Sequence, residues 1–184
     1  MVVFAIMTLA LAWFFETQMP TTLLLVRHAE TDATMAAGGD PPLNARGRAR
    51  AELLADFLEK ADVLAGVDAI YASEFRRTQE TAAPLAARLG IEIEIADPYE
   101  VVGFTKNVLH QHRGEIVLIV SHSDVIAALI DEMHGHQNLP EMGPDDFSDM
   151  YIVSVPWWGK VKTLRLPYAA GWQPGYELGM SSAD

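Results

Sequence analysis

Two short apolar runs, TLLLV at residues 22–26 and IVLIV at residues 116–120, most constrain the fold of this chain. A strand that is apolar at every position must be covered on both faces, which is the environment of the central strands of a parallel sheet. VDAIY at residues 67–71 predicts a further strand, and the alternating IEIEI at residues 91–95 predicts a strand with one solvated face.

Helical segments separate the predicted strands. Asn44 is placed to cap a helix from Ala45 to about Lys60. Ser73 is expected to cap a second helix that ends at Gly90, and Pro84 within it predicts a kink or a division. The remaining predicted elements are a short helix within residues 98–113, a helix from about Ser123 to His134, and a closing hairpin formed by YIVSV and VKTLRL.

Alternating strands and helices predict an α/β fold class with a mostly parallel central sheet and helices on both faces, a three-layer α/β/α arrangement. We expect one domain over residues 19–168, preceded by an apolar leader or extension at 1–18 and followed by an irregular tail at 169–184. Residues 1–15 are uncharged but shorter than the roughly 20 residues that span a bilayer. An extension before a start at Met19 predicts a cytoplasmic protein, and the alternative is an exported or membrane-anchored protein.

Composition excludes several classes of partner and chemistry. The chain has 13 basic and 25 acidic residues, a net charge of −12, so nucleic acid is not an expected partner. A membrane partner is expected only if residues 1–15 are a genuine anchor. The absence of cysteine excludes disulfides, thiolate metal sites and a cysteine nucleophile.

Charged and polar side chains follow each of the buried strands at its carboxyl end. In α/β sheets, ligands bind beyond these strand ends, so we expect the side chains to converge there. Guanidinium groups and helix N-termini favour a bound anion, and phosphate matches their geometry. The sequence therefore predicts a site for a phosphoryl group. Its candidate residues are Arg27 and His28 after the first strand, Ser73, Arg76 and Arg77 after the second, and His122 after the third.

Three motifs in this order resemble those of the histidine phosphatase superfamily, which includes the cofactor-dependent phosphoglycerate mutases. LVRHAETD resembles its first signature, SEFRRTQETA its second motif and VSHSDVIAAL its third, while DPPLNARGRARA resembles the linker helix of a small-phosphatase branch. The resemblance covers about residues 21–166. In the second motif the arginine lies four residues after Ser and four before Thr, a register that selects Arg77, not Arg76.

The resemblance implies a role for each matched residue. His28 would be the nucleophile that takes the phosphoryl group onto a ring nitrogen, and Arg27, Arg77 and His122 would hold the phosphoryl oxygens. Thr31 and Ser123 would help to bind phosphate or substrate. The implied reaction uses no cofactor and no metal.

The chain also departs from the family pattern. Ala29 stands where the family usually has glycine, and we expect its methyl group to lie close to the phosphate. The general acid is implied to be Glu100 in DPYEVVG, with Asp124 as its rival, or to be absent for a good leaving group. Away from the site, we expect Arg76 to face solvent and Arg46, Arg48 and Arg50 to form a solvated helix face.

The functional prediction is a metal-independent phosphatase that acts on a small phosphomonoester or a phosphohistidine protein. Residues 29–44 contain no basic residue, and residues 89–115 contain only Lys106 and Arg113, so a second anionic group on the substrate would find few partners. A phosphoglycerate mutase-type phosphotransferase is the first alternative. A catalytically inactive module that only binds phosphate is the second.

Overall fold

A computed structural model describes residue 4 and residues 6–8, 19–32, 39–61, 66–97, 99–135 and 142–172 of the chain. Within these residues, strands and helices alternate as the sequence predicts. The strands are β1 (Thr21–Arg27), β2 (Ala69–Ser73), β3 (Ile93–Ala96), β4 (Ile116–Ser121), β5 (Asp149–Val155) and β6 (Lys162–Pro167). The helices are α1 (Ala45–Lys60), α2 (Arg76–Leu89), α3 (Val101–Gln111) and α4 (Ser123–Glu132).

The strands form one mixed sheet in the order β3-β2-β4-β1-β5-β6. The first four strands along the chain are mutually parallel, and β5 and β6 add the antiparallel hairpin at one edge. The apolar strands β1 and β4 lie at the centre of the sheet, paired in register from Thr22 with Ile116 to Arg27 with Ser121. This arrangement confirms the α/β fold class, with helices covering both faces.

Alternate residues of the central strands enter two separate cores. On one face, Leu24 and Val26 of β1 pack in a cluster with residues of α1 and α2. On the other face, Leu23 and Leu25 pack with residues of α4, including Ile126. Because both faces are covered, β1 is apolar from Leu23 to Val26, and its next residue is the charged Arg27 at the carboxyl end.

Local capping agrees with the sequence at one helix and differs at another. The side-chain oxygen of Asn44 accepts a hydrogen bond of 2.8 Å from the backbone N–H of Gly47, which confirms the predicted cap of α1. Ser73, in contrast, is the last residue of β2, and Phe75 occupies the cap position of α2 without a side-chain hydrogen bond. The strand runs two residues further than predicted, which places the Ser73 side chain at the sheet edge, not on the helix.

Two further expectations concern α2 and α1. Pro84 does not divide α2, which is continuous from Arg76 to Leu89, and the alternative of a kink at Pro84 stays a prediction. Arg50 does not face solvent with Arg46 and Arg48 but is 3% exposed. The carboxylate of Glu30, from the loop after β1, is the partner that makes this burial possible. Helix periodicity cannot predict that partner.

The terminal assignments fall mostly outside the described residues. Phe4 and residues 6–8 are helical and exposed, and the other residues of 1–18 are not described. Of the tail, residues 169–171 belong to a turn, residue 172 follows it, and residues 173–184 lie outside the description. Among the helices of the described segments, none is both long and apolar enough to cross a membrane.

Candidate active site

The two histidines of the motifs lie side by side at the carboxyl edge of the sheet. Since β1 and β4 are neighbours, the backbone N–H of His28 donates to the Ser121 carbonyl oxygen at 2.9 Å, and His122 follows directly. The centroids of the two imidazole rings are 5.4 Å apart in an edge-to-face arrangement. Residues 94 positions apart in the chain are thereby brought together by strand pairing.

The hydrogen bond of His28 fixes which ring nitrogen is free to react. Its Nδ1 lies 2.8 Å from the carbonyl oxygen of Ala29. A carbonyl oxygen can only accept, so Nδ1 carries the proton and the lone pair is on Nε2. Burial, together with the positive charges of Arg77 and Arg27, lowers the pKa of His28 to about 4, despite the opposing effect of the Ala29 hydrogen bond. The imidazole is therefore neutral at pH 7, as a nucleophile must be.

His122 occupies the cap position of α4 and faces the end of β2. Its Nε2 lies 3.3 Å from the hydroxyl of Ser73, and its ring meets the Phe75 ring at a centroid distance of 5.1 Å. Burial, and next the charge of Arg77, lower the pKa of His122. Ser73 therefore contacts a residue of the site and does not cap a helix, as the sequence had predicted it would.

Arg77 lies in the first turn of α2 and is held against the site. Its guanidinium carbon is 4.4 Å from the centroid of the Phe75 ring, and its side chain is 17% exposed. Thr81, one turn later, accepts a 2.9 Å hydrogen bond from the Ala29 N–H and donates to the Arg77 carbonyl oxygen at 2.7 Å. This bridge ties the helix to the residue after His28.

Arg76 points away from this bridge, as the sequence predicts. Its side chain is 61% exposed and forms an ion pair of 3.0 Å with Glu80 on the same helix. The charge of Arg77 acts on both histidines, whereas Arg76 is not among the groups that act on them. The assignment of Arg77 as a phosphate ligand stays a prediction.

Arg27 is supported by a segment that the sequence did not single out, residues 143–148. Its Nη1 donates to the carbonyl oxygens of Gly143 at 2.9 Å and Asp146 at 3.3 Å. Its guanidinium carbon lies 4.3 Å from the centroid of the Phe147 ring, which is itself 6.1 Å from the His28 ring. Its buried Nε has no hydrogen-bond partner within the described part of the chain.

The candidate general acids lie on different elements. Glu100 is exposed at the cap position of α3, where its carboxylate is so close to Gly103 that a Cβ there would lie 2.1 Å from Oε2. Asp124 lies in the first turn of α4. Its charge and that of Asp40 oppose the lowering of the His122 pKa that burial and Arg77 cause. The role of Glu100 as the acid stays a prediction, since the described contacts join its side chain to neither histidine.

Asp40 is a site residue that sequence reasoning missed. Its carboxylate accepts hydrogen bonds of 2.9 and 3.1 Å from the backbone N–H of Arg76, and one oxygen is 3.9 Å from Nη1 of Arg77. It lies 36 residues upstream of Arg76, in a loop rich in Gly and Pro. No periodic pattern could have indicated this contact.

The other predicted residues are near the site but without a described contact to a histidine. Thr31 forms an isolated bridge with Leu43, and Ser123 is the first residue of α4. Their roles in phosphate binding stay predictions. The methyl group of Ala29 packs with Leu43 and Ala51 in a small buried cluster, so the expectation that it lies against the phosphate is not supported.

Taken together, the rings of His28 and His122 are 5.4 Å apart, and the charges of Arg27 and Arg77 act on both of them. This arrangement suits an oxyanion with a transferable group, because the guanidinium groups can neutralise the anion while Nε2 of His28 attacks. Within the residues that the structure describes, no cluster of three or more metal-ligating side chains occurs.

Solved structures of known proteins share this fold. SixA, a protein histidine phosphatase solved with tungstate, is 18% identical with a TM-score of 0.65, covering 81% of this chain and 98% of that chain. YhfR of Bacillus stearothermophilus is 22% identical with a TM-score of 0.61, covering 77% and 94%. A mycobacterial glucosyl-3-phosphoglycerate phosphatase is 17% identical with a TM-score of 0.60, covering 79% and 97%. These likenesses define the class of fold as that of the small histidine phosphatases.

One part of the sequence also matches a family model. Residues 23–98 match the model of the histidine phosphatase superfamily (branch 1). The match includes Arg27, His28 and Arg77 and confirms the resemblance drawn from the motifs. A search of curated protein sequences found no match for the chain.

Proposed function

We propose that this protein is a metal-independent phosphatase that hydrolyses a phosphomonoester or a phosphohistidine through a covalent phosphohistidine on His28. The observation that carries the proposal is the state of His28. Its neutral ring has the Nε2 lone pair free and lies beside His122, with Arg77 and Arg27 close enough for their charges to lower its pKa. The family match and the phosphatase activities named for similar folds support the same reaction class.

The proposed reaction consists of two successive displacements at phosphorus. In the first, the Nε2 lone pair of His28 forms the N–P bond as the bond from phosphorus to the leaving group breaks. The leaving group departs as an anion or takes a proton from an acid. In the second, water attacks phosphorus, the N–P bond breaks, its electron pair returns to Nε2, and inorganic phosphate leaves. Arg27, Arg77 and His122 stabilise the charge on the equatorial oxygens in both steps.

Charge around the site favours a phosphatase over a mutase. The groups whose charges act on Arg27 and His122 include the carboxylates of Asp40, Asp124, Asp145 and Asp146. A substrate with a second phosphate or carboxylate would meet these groups as like charges. We therefore infer a substrate whose part beyond the phosphoryl group is neutral or cationic.

The experiment compares wild type with His28→Ala in turnover of p-nitrophenyl phosphate in EDTA. We expect wild-type turnover and loss in the variant, with the trapped phosphoryl group mapping to His28 after an acid-free quench. Equal rates for wild type and His28→Ala would refute the assignment of His28 as the nucleophile. Tungstate or phosphate binding without any turnover in wild type would instead indicate the inactive binding module, and EDTA-sensitive turnover would refute the metal-independent reaction.

A further inference from the structure

Glu30 and Arg50 form a buried ion pair directly behind the nucleophile. Glu30 lies two residues after His28, and its two carboxylate oxygens accept hydrogen bonds from Arg50 Nε at 2.8 Å and Nη2 at 2.6 Å. Glu30 is 9% exposed and Arg50 is 3% exposed. Burial alone would raise the pKa of Glu30, but the hydrogen bonds and charge of Arg50 hold that pKa below its ordinary value. Both groups are therefore charged, with a rigid two-point contact between them.

The backbone of the same loop is pressed against α1. The carbonyl oxygen of Glu30 accepts a hydrogen bond of 3.0 Å from the Asn44 N–H. A Cβ at position 47 would lie 2.1 Å from that oxygen, so only glycine permits helix and loop to approach this closely. The loop after His28 is thereby fixed to α1 by its backbone as well as by its side chain.

Arg50 also reaches the segment that supports Arg27. Its Nη1 donates to the Ser148 hydroxyl at 3.2 Å. Ser148 follows Phe147, whose ring lies 4.3 Å from the Arg27 guanidinium carbon, and this segment supplies the carbonyl oxygens that Arg27 contacts. One guanidinium group thus joins the loop after His28 to the support of Arg27.

We propose that the Glu30–Arg50 pair is a positioning unit, which sets the relative placement of His28 and Arg27 by joining the loop after β1 to residues 143–148. The inference rests on the proposed function, because it concerns the nucleophile and an oxyanion ligand of that reaction. Neither residue touches the phosphoryl group; they act through His28 and Arg27. A displacement of about 1 Å at a reacting centre can cost about 100-fold in rate.

The test uses two variants of the pair and one matched control. Arg50→Lys keeps the charge but cannot contact both carboxylate oxygens and Ser148 together, and Glu30→Gln keeps the shape but removes the charge. Arg88→Lys is the control, since Arg88 joins α2 to Glu52, Asp56 and Glu59 of α1 at an exposed position away from the site. We expect kcat to fall about 10- to 100-fold in both pair variants and to stay within twofold in the control. The midpoint of thermal unfolding is measured for all three.

A merely structural pair would lower the unfolding midpoint without moving kcat in the folded protein, and that result would overturn the proposal. A second readout is independent of turnover: the NMR resonances of the His28 ring should shift in the pair variants and stay unchanged in Arg88→Lys. If Arg50→Lys does not fold, Glu30→Gln decides the question. If wild type has no activity yet the His28 resonances shift, the phosphatase proposal fails and the positioning unit stands. If wild type is active and neither kcat nor the resonances move, the positioning unit fails alone.

Discussion

Replacing Arg77 by alanine should remove most of the catalytic power, whereas the same change at Arg76 should not. The two residues are adjacent in one helix turn, so each substitution has the same backbone context. Arg77 is 17% exposed beside the histidines, and Arg76 is 61% exposed in an ion pair with Glu80. Loss of a preorganised donor to a transition-state oxyanion costs about 2.7–4 kcal/mol, or about 100- to 1,000-fold in rate.

The geometry places Arg77 at the lower end of that range. Asp40 lies 3.9 Å from its Nη1 and already offsets part of its charge, so we expect a loss of about 100-fold in kcat for Arg77→Ala. An exposed ion pair within a helix is worth about 0.3–0.5 kcal/mol of stability, so Arg76→Ala should keep kcat within twofold.

The assay is steady-state turnover of p-nitrophenyl phosphate, with circular dichroism to confirm that both variants are folded. Similar losses in the two variants would show that the register of the second motif is wrong. Full activity in both would show that α2 supplies no side-chain ligand to the phosphoryl group.

Two further predictions concern charge near the same site. A His28 pKa of about 4 against 6.5 for the free side chain means that the unfolded chain binds more protons between these values. The free energy of unfolding should therefore fall by up to about 3 kcal/mol as the pH drops from 6.5 to 4. The variant His28→Gln should show a flatter dependence of that free energy on pH. An NMR titration that gives His28 a pKa near 6.5 would contradict this prediction. Asp40→Asn removes a carboxylate facing Arg77, so tungstate should inhibit the variant at a several-fold lower concentration than wild type. Unchanged inhibition would mean that Asp40 does not compete with the anion.

The chemistry of this site was predictable where it depends on local pattern. Apolar runs that end in Arg27–His28 and in His122 require buried strands whose polar residues lie at one edge of a sheet. The Asn44 cap was equally local, since it depends on a spacing of three residues. Strand pairing and helix geometry then bring these positions together, as observed.

Local pattern failed where a residue's partner comes from a distant segment. Arg50 lies three, four and seven positions before Leu53, Leu54 and Phe57, so helix spacing places it on the apolar face, and the prediction of solvent exposure followed from its charge alone. Only the carboxylate of Glu30, 20 positions away, makes the burial of that charge possible. The contact of Asp40 with the first residue of α2 and the contact of Phe147 with Arg27 also join distant segments. No periodic pattern in the sequence indicates such contacts. The prediction placed Ser73 at the helix cap because it ended the strand at Tyr71, whereas the observed strand continues two residues further.

The sequence by itself determined the order of strands and helices, the buried central strands and the candidate groups at the strand ends, because these follow from hydrophobic periodicity. Only the tertiary structure decided the state of those groups. The Nδ1 proton and lowered pKa of His28, the offset charge of Arg77 and the support of Arg27 depend on burial and on contacts between segments far apart in the chain. Electrostatic free energies depend on distance and solvent exposure, which are properties of the folded chain.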